Sequence, residues 1–165
     1  MVAFSQAIWA TNPVKKIYPT EGKPAPDFSF ELEKGKTHLL SEYNNKIVYL
    51  VFFATWCPSC RAELPFAQKE IWEKFGENDQ FRMLVIGREH TREELDKFVR
   101  ENHFTFPVVA DPKREIFSLY APQEIPRSYL IDKTGKIIKI MVGFKEHEFR
   151  KMEKLVEKEL STNSK

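Results

Sequence analysis

Apolar residues fall along the chain in blocks with two different periods. Ile47-Val48-Tyr49-Leu50-Val51-Phe52-Phe53 is an unbroken apolar run, as expected of a strand buried on both faces. Phe81 to Ile86, centred on Met83-Leu84-Val85-Ile86, predicts a second buried strand closing at Gly87. Phe106-Pro107-Val108-Val109 predicts a short third strand. A fourth, Ser128 to Ile131, follows Gln123-Glu124-Ile125-Pro126, and the turn Asp132-Lys133-Thr134-Gly135-Lys136 returns Ile137 to Val142 beside it as a hairpin partner. Helical spacing separates these runs. Leu64, Ala67, Ile71 and Phe75 share one helix face with Gly76 as a stop, and Pro65 inside that helix is expected to kink it. Thr91-Arg92-Glu93-Glu94 has the form of a capping box ahead of the stripe Leu95, Phe98 and Val99. Asp111-Pro112 is read as opening a helix that runs to about Tyr120. A last amphipathic helix carries Phe149, Met152, Leu155, Val156 and Leu160 on one face.

Upstream, Phe28-Ser29-Phe30-Glu31-Leu32 alternates in the manner of a strand, Gly35 turns the chain, and Thr37-His38-Leu39-Leu40 completes a small hairpin. Ser41 to Asn45 is a short turn into the central strand. Residues 1–27 carry Pro13, Pro19, Gly22, Pro24 and Pro26 without sustained periodicity, and read as an extended lead-in, flexible at least to about Lys16. The expected organisation is a lead-in over residues 1–23 and a single domain over residues 24–165. The element order predicts an α/β sandwich, a central mixed sheet flanked by helices.

Composition narrows the function classes. A hydrophobic content of 42% with fourteen Phe suits a globular chain rather than a disordered one. Lys+Arg of 26 against Asp+Glu of 24 gives +2, with the signs interspersed, so no basic stripe argues for nucleic acid. No apolar run reaches the length of a membrane span. Met1 to Ala10 lacks the basic start and continuous apolar centre of a secretory signal. That reads literally as cytoplasmic, but a mature domain whose signal had been removed would look the same.

The chemistry concentrates at Trp56-Cys57-Pro58-Ser59-Cys60, which holds the only two cysteines. The central strand delivers this dithiol to the first turn of a helix. Unpaired N–H groups and the positive end of the helix dipole favour a thiolate there, and the thiolate is the form that attacks disulfides. Thiol–disulfide exchange is therefore the first reading. A zinc site would need further ligands, yet there is no second Cys pair, and His38, His90, His103 and His147 are scattered singly. Two inert core cysteines would be an odd choice next to Pro and Ser at a strand–helix junction. Gly87-Arg88-Glu89-His90 ends a strand where ligands often bind in open α/β sheets, but a solvated loop capping the next helix is the simpler reading.

Taken together, the features from Pro24-Ala25-Pro26-Asp27-Phe28 to Leu160 resemble the thioredoxin superfamily, and more narrowly its TlpA/ResA-like thiol-disulfide oxidoreductases of bacterial envelopes. The carriers are the N-terminal hairpin, Phe53-Ala54-Thr55-Trp56-Cys57-Pro58-Ser59-Cys60, Glu63 with Pro65, and Ile125-Pro126 before a strand. The helix and strand inserted between the Met83 strand and Pro126 suit that subgroup better than plain thioredoxin. The resemblance implies that Cys57 is the nucleophile and Cys60 the resolving thiol. Pro58 and Ser59 add no charge or imidazole to steady the thiolate, which points to a reductant.

Glu63 stands three residues past Cys60, a spacing that stacks it beneath that sulfur on a helix. Plain thioredoxin carries a buried carboxylate at the position that is Val51 here. The resemblance implies that Glu63 takes over as proton acceptor for Cys60, and a desolvated carboxyl would have the raised pKa this needs. It also implies that Ile125-Pro126 is a cis-proline loop facing the dithiol, with the Ile125 backbone open to an extended substrate, and that Trp56 lies over the dithiol as an apolar lid. The substrate-contacting residues expected are Trp56, Pro58, Ser59, Ile125 and Pro126.

The implied partners are protein thiols and disulfides and an upstream thiol electron donor. No cofactor or metal is expected beyond the redox-active disulfide itself, and a monomer in the periplasm or cell envelope is expected. Two alternatives stay open. A thiol peroxidase on the same fold would want a Thr near a lone reactive Cys, and a copper-binding relative would exploit soft thiolates but pairs them with a histidine at a spacing absent here.

Overall fold

The computed structural model describes residues 16–162. Residues 1–15, most of the expected lead-in, lie outside that range. The strands are β1 (Ser29–Glu33), β2 (Lys36–Leu39), β3 (Ile47–Phe53), β4 (Phe81–Arg88), β5 (Val108–Asp111), β6 (Arg127–Ile131) and β7 (Ile137–Val142). The helices are α1 (Pro58–Phe66), α2 (Glu73–Phe75), α3 (Arg92–Glu101), α4 (Phe117–Tyr120) and α5 (Glu146–Ser161). β1 and β2 form a separate antiparallel hairpin; the main sheet runs β5-β4-β3-β6-β7. β3, β4 and β5 are parallel, while β6 and β7 run antiparallel to their neighbours, so the sheet is mixed, as expected.

β3 lies at the centre, and every residue in it is buried. Its pleat divides the core in two. Ile47, Tyr49, Val51 and Phe53 pack with Leu64, Ile71, Leu95, Phe149 and Val156, beneath α1, α3 and α5. Val48, Leu50 and Phe52 face the other way, against the hairpin through Phe28 and Phe30 and against α4 through Phe117 and Tyr120. A strand covered on both sides has no room for alternation, which is why its sequence reads as one apolar run.

Three local expectations change. The helix expected to kink at Pro65 runs on past it in three parts, α1, a π-helical stretch Ala67–Trp72 and α2. A proline removes one rung of the ladder and crowds the preceding turn, and a wider turn relieves that crowding. The third strand begins at Val108, because Pro107 has no N–H to give and contributes only its carbonyl, which accepts from Val85 N at 3.0 Å. The helix expected from Asp111 is only the single turn α4. Asp111 ends β5, its carboxylate caps the N–H groups of Ile116 and Phe117 at 3.2 and 2.8 Å, and Arg114 between them has a φ of 59° that no helix tolerates.

The lead-in joins the domain slightly before residue 24. Gly22 N donates to the Ile137 carbonyl, Ile137 N to the Lys23 carbonyl, and Glu21 Oε1 accepts from Ile140 N, so this segment covers part of edge strand β7. Such cover protects an edge from pairing with other chains.

Candidate active site

β3 ends at Phe53, and the loop Ala54-Thr55-Trp56 carries the chain to Cys57, the N-cap of α1, with Pro58 at its first position. Proline suits that place because its missing N–H would have had no helical partner. Cys57 and Cys60 are joined as a disulfide, with Cα atoms 5.3 Å apart. Cys57 Sγ accepts from Cys60 N at 3.2 Å and lies 3.5 Å from the Ser59 hydroxyl and 3.8 Å from the Ile125 carbonyl. Cys57 keeps 4% of its surface exposed and Cys60 none. The Ile125-Pro126 bond is cis. Pro126 is buried and its carbonyl accepts from Gly143 N at 2.8 Å, whereas Ile125 is half-buried beside the sulfur. The structure therefore brings Cys57, Pro58, Ser59, Cys60, Ile125 and Pro126 to one end of the sheet.

Trp56 is 60% exposed, so it is no core residue. Its ring stands beside the guanidinium of Arg88, 5.7 Å from the ring centroid, and Arg88 in turn lies 5.0 Å from the Phe117 ring. An apolar ring is thus held out to solvent next to the disulfide by a cation stacked between two aromatics.

Glu63, one turn beyond Cys60 on the same face of α1, has no exposed surface. Its Oε1 accepts from the Ser128 hydroxyl at 2.9 Å, while Oε2 is buried without a hydrogen bond. Ser128 sits on β6 directly opposite Val51 of β3, so the carboxyl reaches down onto that pair from the helix above. Burial pushes the Glu63 carboxyl up to about 7, the Ser128 hydrogen bond pulling weakly the other way. Tyr49, two residues before Val51 on the same face, is also fully buried. Its hydroxyl feels both Glu63 and Ser128 without a hydrogen bond of normal geometry, and burial raises it well above the usual phenol range.

His90 lies in the loop ahead of α3 as expected, but not in solvent. It is buried, and its Nε2 accepts from the Thr55 N–H at 3.0 Å, two residues before Cys57. An accepting Nε2 puts the ring proton on Nδ1, which faces Glu94 Oε2 at 3.4 Å. Thr55 is 35 residues away in sequence, so no local pattern could have revealed this contact. The same is true of Ser128 and Tyr49, which read only as strand residues. Among the described residues no group of three or more His, Cys, Asp and Glu is placed to hold a metal.

The AhpC/TSA family pattern matches residues 22–140, most of the chain and the whole of this site. The chain belongs to that family. Within it, the chain is 31% identical over 145 residues to the thiol-disulfide oxidoreductase ResA of Geobacillus thermodenitrificans, covering 87% of this chain and 81% of the relative. The solution structure of a candidate protein disulfide isomerase from Bacteroides thetaiotaomicron superposes with a TM-score of 0.82 at 36% identity, covering 87% of this chain and 91% of that one. The exposed lipoprotein thioredoxin of Streptococcus pneumoniae superposes at 0.60 with 28% identity, covering 78% and 98%. Family and dithiol agree: this is a thioredoxin-fold thiol-disulfide oxidoreductase. Among the described residues no helix is long and apolar enough to cross a membrane.

Proposed function

We propose that the chain reduces disulfides of exported proteins in the cell envelope, with Cys57 as nucleophile, Cys60 as resolving thiol and Glu63 as the proton acceptor between them. The observation that carries this reading is the placement of Cys57 at the N-cap of α1, with its sulfur on the Cys60 N–H and a 4% exposed residue surface, while Cys60 is fully buried one turn before the buried carboxyl of Glu63 on the same helix. In the reduced protein the same N–H and the helix dipole would favour the Cys57 thiolate. That thiolate attacks one sulfur of the substrate disulfide, and the other substrate sulfur leaves as a thiolate. Glu63 takes the Cys60 proton. The Cys60 electron pair then forms the Cys57–Cys60 bond, and the second substrate sulfur leaves. Two electrons pass to the substrate, and an upstream thiol donor must return them.

Supporting the reducing direction, Pro58 and Ser59 give the thiolate no charge or imidazole that would stabilise the reduced form and make the disulfide strongly oxidising. Supporting the envelope is the likeness to an exposed lipoprotein thioredoxin. Trp56, exposed beside the disulfide, and Ile125, whose carbonyl lines the sulfur, would meet an extended substrate segment. The test is a trap. Cys60→Ser, incubated with a disulfide-bonded protein substrate, is expected to accumulate a mixed disulfide at Cys57. Cys57→Ser is expected to accumulate none. The reverse pattern would overturn the assignment of nucleophile and resolving thiol.

A further inference from the structure

Three polar groups meet in the interior between α1 and the sheet, and only one of them, Glu63, belongs to the cycle above. The other two are the hydroxyls of Ser128 on β6 and Tyr49 on β3. None of the three residues has exposed surface, and two of their polar atoms, Glu63 Oε2 and Tyr49 OH, lack a hydrogen-bond partner. Such atoms are costly in a core, so their grouping next to a redox pair calls for a reason. We propose that Ser128 and Tyr49 are positioning residues of the resolving step: Ser128 pins Glu63 Oε1, Tyr49 backs Ser128 as a donor, and Oε2 is left as the oxygen that takes the Cys60 proton. This rests on the reading of Glu63 as proton acceptor.

The direction of the chain follows from what each group can give. A hydroxyl has one proton and two lone pairs. Ser128 spends its proton on Glu63 Oε1 at 2.9 Å, so whatever else it meets must be a donor. Tyr49, whose hydroxyl lies close to Ser128 and has no other partner, is the group positioned to supply that donor. Burial and the neighbouring Glu63 both keep its phenol protonated, so it has a proton to give. Close to Glu63 are Tyr49 from β3 and Ser128 from β6, with Cys60 three residues earlier on its own helix, and burial and the Ser128 bond shift its carboxyl.

The balance of the step is closed. The proton moves from Cys60 Sγ to Glu63 Oε2, the sulfur's electron pair bonds to Cys57 Sγ, and the Cys57–substrate bond breaks with its pair leaving on the substrate sulfur. Removing the Ser128 donor withdraws support from the ionised carboxylate. Glu63 then holds its proton to higher pH and is a poorer acceptor at neutral pH.

The reduced full chain is mixed with dithiobis-nitrobenzoate in stopped flow. The first nitrothiobenzoate released reports attack by Cys57, and the second reports resolution by Cys60. Ser128→Ala is expected to move the pH midpoint of the second phase up by about one unit, so that resolution below the midpoint slows roughly tenfold, with the first phase unchanged. Ser128→Thr, which keeps the hydroxyl, is expected to restore the midpoint. Tyr49→Phe, which removes a single oxygen, is expected to move it in the same direction by less. An unmoved midpoint in both Ser128→Ala and Tyr49→Phe overturns the proposal, as does a midpoint in Ser128→Thr equal to that of Ser128→Ala. If Ser128→Ala does not fold, Tyr49→Phe decides alone by the same criterion. Glu63→Gln separates the two levels: a second phase that keeps its midpoint in this variant removes Glu63 from the cycle, whatever Ser128 does.

Discussion

Burying Glu63 makes a thermodynamic demand that can be read without any substrate. Its carboxyl is held at about 7 in the fold against an ordinary value of 4.5 when the chain is unfolded, chiefly because no water reaches it. Below pH 4.5 both folded and unfolded chains carry the proton, and the stability contributed by the neutral buried acid is fully present. Between 4.5 and 7 the unfolded chain has released its proton while the folded one has not, so unfolding becomes progressively easier as pH rises. Above 7 the loss is complete. The gap from 4.5 to about 7 corresponds to about 3 kcal/mol.

Glu63→Gln removes this titration. Its amide oxygen can still accept from Ser128, while its NH₂ group, in the place of Oε2, has no partner. That mismatch costs roughly 1–3 kcal/mol at every pH and does not alter the slope. Urea unfolding of the oxidised protein and of the oxidised variant, at steps from about pH 4 to 8, is the assay. All other titrations cancel in the difference. The wild type is expected to lose about 3 kcal/mol relative to the variant across that window, equivalent to about 1–3 M in relative urea midpoint. Parallel stability curves would refute the argument, because they would mean that Glu63 is hydrated in solution.

Two further outcomes follow from single contacts. His90→Ala leaves the Thr55 N–H without its acceptor and is expected to destabilise the fold by about 1–3 kcal/mol; His90→Asn, which retains a side-chain acceptor, is expected to recover part of it in the same urea titration. Trp56→Ala truncates an exposed ring and is expected to change stability by less than about 1 kcal/mol. It should lower kcat/KM for a disulfide-bonded protein several-fold while leaving the rate with dithiothreitol-sized disulfides unchanged; equal losses on both would remove Trp56 from substrate contact.

What could be read from sequence was whatever is encoded over a few residues. The seven positions of β3 announce a strand buried on both faces, Thr91 and Glu94 announce a capping box that the structure contains, and the Cys57–Cys60 spacing announces a dithiol at a helix start. Local reasoning misjudged elements where a side chain competes with the backbone. At Asp111 a good helix opener instead ends a strand, because its carboxylate is drawn to Ile116 and Phe117 across a left-handed Arg114. The contacts that tune the site were not legible at all. Glu63 meets Ser128 across 65 residues and Thr55 meets His90 across 35. Each needs the sheet register before it has meaning: Ser128 becomes part of the site only once β6 has paired it with Val51.

The central claim is that the Cys57–Cys60 pair passes electrons outward, to substrate disulfides. Equilibrating the protein with glutathione or dithiothreitol buffers and quantifying the two redox forms gives its reduction potential directly. A value near or below about −250 mV, close to the thioredoxin end of the known range, is the expected result. A value near about −120 mV would contradict the account and make the protein a donor of disulfides rather than a reductant.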